Sequence, residues 1–71
     1  MKVIVSHPEI LGGTACFRGT RVPLQNLVDY LEGGENIEEF LHQFPTVQRA
    51  QATQAIDEMR DALVRETKVP A

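Results

Sequence analysis

Hydrophobic positions recur at helical spacing in three segments of the chain. Each segment follows the i, i+3, i+4, i+7 spacing that marks one buried face of a helix. The first contains Leu24, Leu27, Val28 and Leu31. The second contains Ile37, Phe40, Leu41 and Phe44. The third contains Ala52, Ala55, Ile56, Met59 and Leu63. The pattern therefore predicts three amphipathic helices between Pro23 and the end of the chain.

Residues with special backbone preferences set the ends of the first helix. Pro23 is well suited to be its first residue, because its φ is already fixed near a helical value. Gly33 and Gly34 are expected to end it, since glycine is favoured just past a helical end.

The other two helices have caps of their own. Asn36 is predicted to cap the second helix, with Glu39 three residues later in the capping-box position. Pro45 disfavours a helical Phe44 and ends that helix. Thr46 is predicted to cap the third, which meets no Gly or Pro before Pro70 and spans some 20 residues, or ~30 Å.

The segment before Pro23 alternates short extended pieces with turns. Residues 2–6 are rich in β-branched side chains and predict a strand of about four residues. Gly12-Gly13 predicts a loop or turn, and residues 14–17 and 20–22 predict a hairpin around Arg18-Gly19. Because an isolated two-stranded hairpin is marginal in water, either residues 3–5 or a second subunit must complete the sheet.

These elements predict a mainly α fold: a three-helix, homeodomain-like helix-turn-helix bundle with a short N-terminal β arm or hairpin. We expect one domain over residues 1–71, with the arm in 1–22 and the helical part in 23–68. The third helix is longer than two short helices can cover. Its distal half, around Leu63 and Val64, therefore predicts a homodimer contact. Other three-helix bundles with tight turns share this pattern, so it does not by itself imply DNA binding.

Charge narrows the choice of partners. The chain has 71 residues and a net charge of −3, and residues 34–46 hold three glutamates and no cation. An acidic monomer is a poor non-specific DNA binder, which favours a basic partner or DNA binding within a complex. The single cysteine fits a cytoplasmic protein, and the sequence contains no membrane-span pattern.

The first turns of the third helix are the candidate DNA-binding face. No carboxylate occurs from Thr46 to Ile56, and glutamine and arginine can pair with adenine and guanine. The alternative is an ordinary solvated helix face. Arg49 is the single cation nearby, and one cation provides little contact with phosphates. The predicted DNA contacts are Thr46, Arg49, Gln51 and Gln54.

The arm supplies a second candidate surface. Arg18 and Arg21, near the hairpin tip with Thr20, are expected to form a partner interface. Their guanidinium groups could clamp a carboxylate or a phosphate. The alternative is a solvated charge or an internal ion pair, for example with Glu9.

Catalysis is the weakest hypothesis. Cys16 with His7 or His42 could in principle form a thiolate nucleophile, but no carboxylate or Asn is placed to orient either histidine. Cys16 is better explained as a small packed residue. No zinc-ligand spacing occurs, and we expect neither a metal nor a cofactor, and no small-molecule substrate.

Five segments together resemble a known bacterial and cyanobacterial family, domain of unknown function 433. They are HPEILGG (7–13), CFRGTRVP (16–23), DYLEGG (29–34), EEFL (38–41) and FPTV (44–47). The likeness covers nearly the whole chain. Members often carry proline where this chain has Ala15.

The resemblance implies a winged or homeodomain-like helix-turn-helix with a β arm, commonly dimeric. It also implies an antitoxin role in a toxin–antitoxin pair, often beside a gene for a PIN-like ribonuclease toxin. The hypothesis is therefore a non-enzymatic antitoxin that binds operator DNA through the third helix and the toxin through another surface. The alternative is a dimerisation or adaptor module that uses the same frame without DNA.

Overall fold

The structure, a computed structural model, describes residues 2–67. The two strands are β1 (Ile4–Val5) and β2 (Cys16–Phe17), with a short 3-10 helix (Leu11–Gly13) between them. Three helices follow: α1 (Leu24–Glu32), α2 (Ile37–Gln43) and α3 (Arg49–Thr67). The predicted mainly α fold with a short β arm is confirmed.

The arm completes its sheet within one chain. β1 and β2 are antiparallel, with Ile4 opposite Phe17 and Val5 opposite Cys16. After a turn at residues 18–20 the chain returns along the other side of β2, where Cys16 forms a bridge with Pro23. The Phe17 N–H donates to the Val22 carbonyl at 3.0 Å. β2 is therefore flanked on both sides, which explains how so short a sheet persists.

The link between β1 and β2 contains a left-handed turn. Leu11, Gly12 and Gly13 have φ values of 50°, 66° and 91°. Glycine adopts such values without strain, whereas leucine does so only at a cost. The Leu11 side chain is 50% exposed, so core packing does not repay that cost.

Backbone hydrogen bonds fix both ends of α1. Pro23 precedes the helix rather than opening it, because its ψ of 145° is extended and suits the bridge to Cys16. At the other end the Glu35 N–H donates to the Tyr30 carbonyl at 2.8 Å and the Gly34 N–H to Leu31 at 3.1 Å. This pair of bonds is a Schellman motif, and Gly34 has the left-handed φ of 87° that the motif requires.

Helix α2 begins as predicted. The Asn36 side chain accepts a hydrogen bond from the Glu39 N–H at 2.9 Å, so Asn36 is the N-cap. Phe44 leaves the helical region, with ψ of 72°, immediately before Pro45.

The predicted Thr46 cap of α3 is wrong. The helix begins at Arg49, and the Gln48 carbonyl accepts from the Ala52 N–H at 3.1 Å. Residues 45–47 form a turn instead, closed by the Val47 N–H donating to Phe44 at 3.0 Å. Val47 is buried in this turn.

One core joins the arm to the helices. Phe17 from β2 and Phe40 from α2 are fully buried, and their ring centroids are 5.8 Å apart. Tyr30 and Phe44 extend this ring cluster from α1 and the end of α2. The remaining buried members of the core are Leu27, Val47, Ala52 and Ala55.

Helix α3 extends beyond that core. Ala52 and Ala55 are buried and Ile56 and Met59 are partly buried, as the predicted face requires, but every residue from 60 to 67 is exposed. Leu63 and Val64 are 63% and 60% exposed. The last turns of α3 thus contact little else in residues 2–67.

We expect Phe17→Ala to lower the free energy of unfolding by about 3–5 kcal/mol, because it removes a buried ring and leaves a cavity. Leu31→Ala, at a position 39% exposed, is the matched control and should cost about 1 kcal/mol or less. Urea denaturation followed by circular dichroism measures both. Equal losses in the two variants would contradict the central place of Phe17.

We expect Gly34→Ala to destabilise the protein by about 1–2 kcal/mol, because alanine must adopt the left-handed C′ position of α1. No atom lies within 4 Å of a Cβ added at Gly34, so the loss would come from the backbone alone. Thermal unfolding measures the effect, with Glu35→Ala as the control in the same exposed turn. A Gly34→Ala protein as stable as the control would show that the motif adds nothing.

Candidate functional site

The first candidate surface is the N-terminal part of α3, which lies beside α2. Arg49 forms an ion pair with Glu38, and both side chains are exposed. The hydrogen bond and the charge of Glu38 raise the pKa of the Arg49 guanidinium above its ordinary value. The cation predicted to bind phosphate is thus already paired with a carboxylate. An exposed pair of this kind exchanges readily, since it contributes little to stability.

Gln51 is held by two hydrogen bonds within the chain. Its Oε1 accepts from the Gln48 N–H at 3.0 Å, which caps the start of α3. Its Nε2 donates to the Arg18 carbonyl at 3.1 Å. Gln51, predicted as a DNA contact, therefore connects α3 to the hairpin turn.

Gln54 lies on the exposed side of α3 and donates from Nε2 to Glu58 Oε2 at 3.4 Å. The same carboxylate oxygen accepts from the Val3 N–H at 3.4 Å, so Glu58 connects α3 to the beginning of the arm. Ala50 and Thr53 are also exposed in these first turns. The predicted face is therefore accessible, but its longer polar side chains are already engaged.

The three predicted interface residues of the arm differ in their surroundings. Arg18 donates from Nε to the Lys2 carbonyl at 2.9 Å. The Thr20 hydroxyl donates to the Phe17 carbonyl at 2.8 Å and accepts from the Val22 N–H at 3.0 Å, which shapes the hairpin turn. Arg21 is exposed, and its side chain makes no hydrogen bond or ion pair with residues 2–67. The suggested pair with Glu9 does not form.

A surface cleft of about 630 Å³ lies between the arm and the α2–α3 turn. It brings together Thr20 and Arg21, predicted for a partner, and Thr46, predicted for DNA. The sequence did not predict that these three would share one surface, because Thr46 is more than twenty residues away along the chain. The remaining lining residues are Val5, His7, Ile10, Thr14, Cys16, Gly19 and Val22.

Cys16 and His7 both line this cleft, whereas His42 lies on α2 and does not. Cys16 is only 2% exposed, and its backbone pairs with Val5 and Pro23. A thiol so enclosed fits the packing role that the sequence suggested.

Within residues 2–67 no three His, Cys, Asp or Glu side chains come together as a metal site would require. In that same part of the chain, no helix is both long enough and apolar enough to cross a membrane.

Comparison with known proteins gives a family and one distant relative. The uncharacterized protein y4eO of Sinorhizobium fredii (strain NBRC 101917 / NGR234) is 37% identical over 46 residues. These residues are 65% of this chain and 21% of that relative, so the chain spans about a fifth of its length. No solved structure matches.

The family profile described as "Protein of unknown function (DUF433)" matches residues 4–57. The match includes both strands, α1, α2 and the first half of α3. It also contains the cleft-lining residues of the arm and Thr46. The resemblance found in the sequence motifs is confirmed, and the chain belongs to the DUF433 family.

Proposed function

We propose that the protein is a non-enzymatic, dimeric antitoxin of a toxin–antitoxin pair. It would bind operator DNA through the first turns of α3 and a PIN-like ribonuclease toxin through a second surface. Binding would depend on complementary surfaces, without covalent chemistry. The observation that carries the proposal is the exposure of α3 at both ends: its first turns are polar and lie beside α2, and its last turns expose Leu63 and Val64 beyond the core.

The arrangement of α2, a turn and α3 is compatible with DNA binding. In helix-turn-helix proteins, residues near the start of the second helix contact base edges in the major groove. Here that region presents Ala50, Thr53 and Gln54 to solvent, without a carboxylate before Asp57. The small side chains leave room for a close approach of the helix to DNA.

Electrostatics argues that DNA binding belongs to an assembly rather than to one chain. The carboxylate of Glu38 offsets the charge of Arg49 and weakens the attraction of its guanidinium for a phosphate. A single cation against a net charge of −3 supplies little affinity, because duplex binding depends on the number of phosphates neutralised. A dimer presents two such helices and doubles the phosphate contacts.

The dimer is supported by the distal turns of α3. Leu63 and Val64 lie next to each other there and are well exposed. Pairing of two such helix ends would bury these side chains, at a gain of roughly 25 cal/mol for each Å² of apolar surface.

The alternative is an adaptor that dimerises but does not bind DNA. It is favoured by one specific observation: Arg49 and Gln51 are both bonded within the chain. In that case these residues join α2, α3 and the hairpin turn, and serve the fold alone.

The deciding experiment is co-purification of the chain with the product of the adjacent gene, followed by binding to the promoter of the gene pair. We expect a stable complex and a specific promoter shift. A complex without a shift would support the adaptor, and the absence of both would contradict the antitoxin proposal.

We expect Leu63→Asp to convert the dimer to a monomer whose core stays folded, because it places a charge in the apolar contact of α3 outside that core. Sedimentation equilibrium measures the mass and circular dichroism the helicity. Thr53→Asp adds the same charge to the exposed side of α3 far from Leu63, and should remain dimeric. A monomeric wild type would contradict the dimer.

We expect Glu38→Gln to strengthen binding of the complex to promoter DNA by about two- to fivefold, because an exposed ion pair holds Arg49 with at most ~1 kcal/mol. Glu39→Gln removes the same charge from α2 and should have a smaller effect. Arg49→Gln should weaken binding and flatten its salt dependence. Fluorescence anisotropy over a salt series measures all three. A DNA affinity that Arg49→Gln leaves unchanged would favour the adaptor.

A further inference from the structure

The cleft between the arm and the α2–α3 turn has the chemistry of a peptide-binding site. We infer that it binds a segment of a partner protein in which a carboxylate lies beside aliphatic side chains, with Arg21 holding the carboxylate. This partner is the toxin, an identification that rests on the proposed function.

The cleft has basic but no acidic side chains in its lining. Its lining includes Arg21 and His7 but no aspartate or glutamate. Arg21 is exposed there and makes no side-chain bond within residues 2–67, in contrast to Arg18, Arg49 and Arg60, which all have partners. A free guanidinium can form two parallel hydrogen bonds with a carboxylate.

The walls of the cleft are mainly apolar. Val5, Ile10 and Val22 are partly buried there, and Cys16 is nearly covered. The hydroxyl protons of Thr14 and Thr20 are donated to the carbonyls of Leu11 and Phe17, both at 2.8 Å. These hydroxyls therefore have no proton left for a ligand. Aliphatic groups complement such walls, and the single available cation selects an anionic neighbour.

Size and charge favour a peptide over nucleic acid. The volume of about 630 Å³ is within the range of protein ligand sites, and the cleft is open to solvent. A phosphodiester backbone requires a series of cations along its path, whereas this cleft offers Arg21 and one histidine between apolar walls. A short acidic and aliphatic segment matches both features.

The direct test is selection from a random heptapeptide phage library on the immobilised wild-type chain. We expect enriched peptides to combine Asp or Glu with Val, Leu or Ile. Their affinities are then measured by calorimetry as synthetic peptides. No enrichment, or enrichment of basic peptides, would overturn the inference.

Variants locate the bound peptide. Arg21→Gln should weaken binding at least tenfold, because it removes a charge-assisted bidentate contact, while Arg21→Lys should keep part of the affinity. Thr46→Tyr should also weaken binding, because the larger side chain on the wall opposite the arm would occupy space that the peptide needs. Arg65→Gln, an exposed change on α3, is the matched control and should bind as wild type. The inference would be overturned if Arg21→Gln bound the peptide as tightly as wild type. It would also be overturned if Arg65→Gln lost as much affinity as Arg21→Gln.

Co-purification separates this inference from the proposed function. If the adjacent gene product binds the wild type but also binds Arg21→Gln with full affinity, the cleft assignment fails and the antitoxin proposal stands. If that product does not bind the wild type, the antitoxin proposal fails, and the peptide selection still decides what the cleft binds.

Discussion

The contact between Phe17 and Phe40 is the constraint on which the rest of the structure depends. It joins a strand from the arm to a helix from the helical part, and both rings are wholly buried. A chain of 71 residues buries a smaller share of its surface on folding than a larger domain does, so few side chains can provide its core. The arm therefore belongs to the core. Without Phe17, the apolar faces of α1 and α2 would lack one of their two fully buried rings.

Phe17 also determines where the functional surfaces lie. Because β2 is buried against the helices, the turn that follows it is brought to the start of α3, where Gln51 contacts the Arg18 carbonyl. The same placement brings Thr20 and Arg21 close to the α2–α3 turn and creates the cleft. The family motifs in residues 7–23 thus have a common explanation, since they build one core strand, its flanking turns and one wall of the cleft.

The helices could be predicted from the sequence because their signals are local. Spacing of apolar residues gave the buried faces, except that Leu31 and Leu63 were placed on them and are exposed. Asn36 and Gly34 marked two helix ends through side-chain and backbone chemistry that acts within a few residues. The prediction of Thr46 as the cap of α3 was wrong because it also rested on a local signal. Thr46 is a good cap in isolation, but burial of Val47 and the capping bond of Gln51 move the start of α3 to Arg49. The cleft and the Arg49–Glu38 pair join distant parts of the chain, so no local pattern could show them.

The last turns of α3 have a thermodynamic consequence. Beyond residue 59 the helix is exposed on all sides, so tertiary packing contributes almost nothing to its stability. A short helical segment in water is marginal and depends on intrinsic propensity and on propagation from the turns before it. The free energy of any contact at Leu63 therefore includes the ordering of the segment that carries it. Association at this end of the molecule and formation of the helix would be one coupled equilibrium.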